Sequence, residues 1–174
     1  MKTFKNIYLL LIAVILSAPA YAQSPKPRVS PAESVTGKIG DATITIHYSS
    51  PSVKGRKIWG GLVPYDTVWR AGANEATTFE TDKNIKIAHQ QLPAGKYGFF
   101  LVPKEKGKWI AVFNKVPNQW GAFKYDKSKD QLRVDVKTSS TSSLPDDQEM
   151  LIYRITPKGV LLNWEKRSVF IPIR

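Results

Sequence analysis

Hydrophobic and polar positions alternate with period two along much of this chain. Ala42, Ile44, Ile46 and Tyr48 interleave with Thr43, Thr45 and His47, the pattern of a strand that buries one face. Leu132, Val134 and Val136 alternate in the same way with Arg133, Asp135 and Lys137. Residues 96–102 and 108–114 are apolar on nearly both faces, and the charged link Pro103-Lys104-Glu105-Lys106-Gly107 joins them. They predict a central hairpin. Further strands are predicted over 76–81, 84–88, 150–155, 160–164 and 168–173, each bounded by turn residues. No window after the N-terminus carries an apolar stripe at helical spacing, and Pro and Gly recur too often for long helices. The expected fold is all-β: an antiparallel β-sandwich, or a flattened barrel, of about nine short strands.

The N-terminus follows a different pattern. Lys2 and Lys5 precede an apolar run over 7–16 that leads into Ala20-Tyr21-Ala22, which is the layout of a secretory signal peptide over residues 1–22. The run is too short to span a bilayer, and nothing later is apolar enough to do so. Residues 23–36 hold Pro25, Pro27 and Pro31 among Ser24, Ser30 and Ser34, and are expected to form a mobile or wrapped arm. Residues 37–174 then make a single domain, large enough to bury a core without staples. The absence of cysteine excludes a disulfide framework and a lipid-modified cysteine at the cleavage site. The expected location is the periplasm or the medium. The Ser/Thr-rich residues 138–147 should be an exposed loop.

The stretch between residues 50 and 75 breaks the alternation and is longer than most connections. Trp59, Tyr65 and Trp69 can fasten it to the body, while Gly55, Gly60, Gly61 and Gly72 permit tight turns. It should be one long ordered loop able to carry a pocket. Its residues Pro51-Ser52-Val53-Lys54-Gly55-Arg56, Gly60-Gly61-Leu62-Val63-Pro64-Tyr65 and Trp69-Arg70-Ala71-Gly72-Ala73-Asn74-Glu75-Ala76-Thr77 resemble the signature of a bacterial family, the domain of unknown function 2911. Arg28-Val29-Ser30-Pro31, Leu92-Pro93-Ala94-Gly95-Lys96-Tyr97, Leu162-Asn163-Trp164-Glu165 and Val169-Phe170-Ile171-Pro172-Ile173 extend the resemblance over nearly all of the chain after the leader. The resemblance implies an exported bacterial domain and brings no established activity or residue roles.

Candidate ligand-binding residues are Arg56, Trp59, Trp69, Arg70, Asn74 and Glu75 in the loop, with His47 and Tyr48 at the end of the preceding strand. Arginine forks and an amide beside Trp faces suit an anionic or glycan-like ligand. The same arginines could instead pair with Glu75, Asp66 or Glu80, leaving the loop architectural. A hydrolase would use Glu75 with Asp66 or His47.

The remaining chemistry is sparse. Without cysteine, thiol nucleophiles and thiolate metal sites are impossible, and the two histidines, His47 and His89, do not by themselves argue for a metal. No elbow serine, phosphate-binding loop or dinucleotide fingerprint is present, so no cofactor is expected and the common enzyme signatures are missing, which leans against catalysis and leaves the hydrolase as an alternative. Removing 22 of the 174 residues, two of them lysines, lowers the formal charge from +12 to +10. The lysines are scattered and no nucleic-acid motif accompanies them, so the basic surface is not assigned to nucleic acid. The expected partner is a small molecule, a glycan or an envelope component, or the domain is a structural, envelope-associated module. Trp120, between Gln119 and Gly121, could serve as a stacking platform.

Overall fold

The computed structural model describes residues 28–140 and 148–174. The expected leader, most of the arm before residue 28, and residues 141–147 of the expected loop lie outside the described residues. Eleven strands follow in order: β1 (Ala32–Ile39), β2 (Ala42–Ser49), β3 (Thr77–Thr81), β4 (Ile85–Ile87), β5 (Gln90–Leu92), β6 (Gly95–Val102), β7 (Trp109–Asn114), β8 (Asp130–Ser140), β9 (Ile152–Thr156), β10 (Gly159–Trp164) and β11 (Arg167–Pro172). The only helix among the described residues is a single 3-10 turn, Lys127–Lys129.

Nine strands form one sheet in the order β1-β2-β3-β6-β7-β8-β11-β10-β9, all antiparallel. The doubly apolar strands β6 and β7 pair with each other at its centre, from Gly98 opposite Asn114 to Val102 opposite Ile110. The sheet curls until its two edge strands meet. A Cβ on Gly37 of β1 would lie 2.9 Å from Cγ2 of Ile155 on β9, so the absence of a side chain at that position eases the close approach at the seam. Across the seam the rings of Tyr48 and Tyr153 meet edge to face at 4.7 Å. The result is a nearly closed, barrel-like shape. The small hairpin β4–β5 docks on the C-terminal strand end, where Lys86 and Arg174 exchange backbone bonds.

The inward positions build one continuous core. At its centre Trp59 touches Trp69 at 5.6 Å, Trp109 at 4.8 Å and Trp164 at 5.7 Å between ring centroids, a packing worth several favourable edge contacts. Outside the sheet, Phe100, Val102 and Val112 make a smaller cluster roofed by Ala122 and Tyr125. That roof explains why β6 is apolar on both faces.

Two expectations change. Residues 32–36, expected within the arm, are the first half of β1, bonded to β2 from Ala32 opposite Ser49 onward. Composition hid this strand because an edge strand at a seam buries little, and only Val35 and Ile39 point to the core. The loop expected from residue 138 begins later, since β8 runs to Ser140.

Candidate functional site

The long loop over 50–76 is ordered, as its aromatics require. Trp69 exchanges backbone hydrogen bonds with Leu101 of β6 at 2.8 and 2.9 Å, and Ser52 bridges to Met150. Arg70 to Glu75 forms a strained turn: Ala71 and Asn74 hold φ of 52° and 56°, a left-handed conformation that costs a non-glycine residue about 1 kcal/mol. Hydrogen bonds hold it there. The Ala71 carbonyl accepts from the Tyr153 hydroxyl at 2.7 Å and the Thr77 hydroxyl at 3.1 Å, and the Ala73 amide donates to Ser49 at 3.1 Å. Gly72 fits because a Cβ there would lie 2.9 Å from Thr77 Oγ1 and 3.0 Å from the Ser49 carbonyl.

Residues 28–31 cross this turn as a strap. Arg28 donates through both terminal nitrogens to Glu75, Nη1 to Oε2 at 2.8 Å and Nη2 to Oε1 at 2.7 Å. The Asn74 amide donates to the Ser30 carbonyl at 3.3 Å, and the Ser50 amide to the Pro31 carbonyl at 2.8 Å. The hydrogen bonds from Arg28 hold the Glu75 carboxyl below its ordinary range, since they stabilise its charged form.

Strap residues help to line two clefts. The first, about 480 Å³, holds His47, Tyr48 and Glu75 with Arg28, Glu33 and Lys96. The second, about 390 Å³, holds Arg56, Trp69, Arg70 and Asn74 with Lys54 and Trp164. The structure thus divides the candidate residues between two sites. Trp59 lines neither cleft: it sits in the core and its indole N–H donates to the Glu165 carbonyl at 3.1 Å. Asp66 is also away from both and pairs with Lys104.

The arginines do not take the carboxylates that sequence offered them. Glu75 is held by Arg28, Asp66 by Lys104 and Glu80 by Lys96. Arg56 instead donates to the backbone carbonyls of Ser52 and Val53. Arg70 has no hydrogen bond or ion pair through its guanidinium among the described residues, and its Nε is buried without a partner. Burial alone lowers its pKa from the ordinary value, which marks a desolvated, uncompensated cation.

A second orphan donor belongs to another residue of the same lining. The Trp164 indole N–H is buried and unpartnered, in a residue only 1% exposed. Trp109, in contrast, donates to the Lys104 carbonyl at 2.9 Å. The lining of the second cleft therefore includes two residues that carry a buried donor without a partner, Arg70 and Trp164, and three cationic side chains, Lys54, Arg56 and Arg70, and no carboxylate among the described residues lines it. Such a wall is complementary to an anion with several acceptor oxygens.

Sequence reasoning overlooked Arg28, Lys54 and Trp164. The clue to Arg28 was its place in the motif Arg28-Val29-Ser30-Pro31, and that to Trp164 its place in Leu162-Asn163-Trp164-Glu165. Among the described residues no three His, Cys, Asp or Glu side chains gather closely enough to hold a metal ion.

These motifs fold here into an all-β, barrel-like domain with a strapped, glycine-articulated loop. The chain belongs to the protein family of unknown function DUF2911, whose model matches residues 30–173. No curated protein and no solved structure matches the chain.

Proposed function

We propose that this protein is an exported, noncatalytic binding domain that takes a small anion, of the carboxylate or phosphate class, in the cleft between the strap and the 50–75 loop. One observation carries the reading: Arg70 and Trp164, each with a buried donor that lacks a partner, both belong to the lining of a cleft that no carboxylate among the described residues lines. A buried donor left unmade costs about 1–3 kcal/mol, and an anionic oxygen would recover that cost on binding. Lys54 and Arg56 at the same wall add charge, and Asn74 fixes the strap beside it. The leader-like N-terminus supports export.

The hydrolase reading is less well supported. His47 and Glu75 line the other cleft together, but the carboxylate is already engaged by Arg28 and held in its charged form. A carboxylate with a lowered pKa is a weak general base and a poor proton donor near neutrality.

The test is thermal unfolding of the protein with organic dicarboxylates, tricarboxylates, phosphate, sugar phosphates, uronic acids and neutral sugars at matched ionic strength. At 100 times its dissociation constant a ligand stabilises by about 2.7 kcal/mol. The expected result is a rise with at least one anion that disappears in Arg70→Met. A rise that survives in Arg70→Met, or one produced only by neutral sugars, would place the function elsewhere.

A further inference from the structure

Large hydrophobic side chains are exposed at five described positions, Val29, Leu62, Val116, Trp120 and Phe123, and three of these share one segment. Val116 is 40% exposed, Trp120 59% and Phe123 83%. Their loop is firmly held. The Gly121 amide donates to the Asn74 carbonyl at 3.0 Å, the Ala76 amide to the Gln119 carbonyl at 2.9 Å, and Tyr125 packs its ring on Phe100 at 5.3 Å. The aromatics are thus displayed by an anchored loop, and a fold that exposes them so consistently leaves apolar area to be covered.

The charge around them is mainly positive. Lys115, Lys124, Lys127 and Lys129 are exposed and form no ion pair among the described residues. Of the two carboxylates of the same stretch, Asp126 is exposed beside Lys129 and Asp130 is taken up by the fold. Asp126 accepts from the Ser128 amide at 2.8 Å as the cap of the 3-10 turn. Asp130, its side chain 6% exposed, accepts from Tyr125, Asn114 and Arg133. The segment therefore shows exposed aromatics with four exposed lysines against one exposed carboxylate, a net cationic balance.

We propose that residues 115–129 dock the protein peripherally on a bilayer surface rich in anionic headgroups. Trp and Phe seat at the boundary between headgroups and acyl chains, where an amphipathic ring finds both environments. Lysines beside them gain from the negative surface potential, an attraction that salt screens. A second copy of the chain is a poor occupant, because two such faces would bring unpaired lysines together. No helix among the described residues is long and apolar enough to cross a membrane, and the contact proposed here needs none.

Vesicle flotation tests this. The protein is mixed with vesicles of phosphatidylcholine alone or with added phosphatidylglycerol, across a salt series. The expected result is binding to the phosphatidylglycerol vesicles that weakens with salt. It should fall at least about tenfold in Trp120→Ser/Phe123→Ser and in Lys124→Gln/Lys127→Gln/Lys129→Gln, with thermal unfolding unchanged in both. Three results would overturn the proposal: no binding of the wild type to anionic vesicles, equal binding by the variants, or a wild-type dimer in sedimentation that Trp120→Ser/Phe123→Ser dissociates.

Discussion

Arg70 is a half-buried charge whose Nε has no partner among the described residues, and its removal separates stability from binding. Arg70→Met keeps the stem and deletes the desolvated guanidinium, so in anion-free buffer the variant should be as stable as wild type or more stable by up to about 1 kcal/mol. Urea unfolding checks this, and a loss of more than about 2 kcal/mol would mean that the guanidinium has a structural partner after all. The tryptophans allow a second comparison at the same scale. Trp109 and Trp164 are both fully buried, yet only Trp109 donates its indole N–H, to the Lys104 carbonyl. Replacing either by Phe leaves a similar void, but Trp109→Phe also strands a carbonyl. Trp109→Phe should therefore cost about 1 kcal/mol more than Trp164→Phe, and equal losses in chemical denaturation would show that the Trp164 N–H is satisfied.

At the scale of elements, the seam and the strap are the parts that close the molecule. Gly37→Val would drive a side chain into Ile155, and overpacking of this kind costs about 1–3 kcal/mol. Adding Ile155→Ala should restore part of it; a Gly37→Val variant as stable as wild type would mean that β1 does not close on β9. For the strap, the sign of the pH effect follows from Glu75, whose folded pKa is lowered chiefly by the Arg28 hydrogen bond. Its contribution is present above the ordinary carboxylate value of about 4.3 and is lost as pH falls through the lowered folded value. The melting-temperature gap between wild type and Glu75→Gln should accordingly be open at pH 7 and close below about pH 4, whereas a gap independent of pH would remove the ion pair from the account. Most elements were legible before any coordinates. Alternation marked β2 and β8, and double-sided apolarity marked β6 and β7 as central. Strand β1 was hidden because its neighbours are Pro and Ser, and β5 because Gln90 and Gln91 give it only one buried residue, Leu92.

For the whole molecule, the barrel supplies rigidity and the loop supplies chemistry. Which residues gather in the candidate site was only half readable. The loop's own arginines, Asn74 and Glu75 were visible as a cluster, but their division between two clefts depends on a strap more than 40 residues away in sequence and on Trp164 arriving from β10. Nothing local encodes such meetings. The basic balance of the chain, +12 overall, is consistent with attraction of anions, which ionic strength should weaken. The central claim is that an anion satisfies the orphan donors of the second cleft. Indole N–H resonances report on this directly, because Trp59 and Trp109 already donate to carbonyls while Trp164 does not. In a titration with the anion that raises the melting temperature most, the Trp164 resonance should move downfield as it gains an acceptor, with Trp59 and Trp109 nearly still, and the movement should vanish in Arg70→Met. An anion that stabilises the protein while leaving the Trp164 resonance in place would contradict the account.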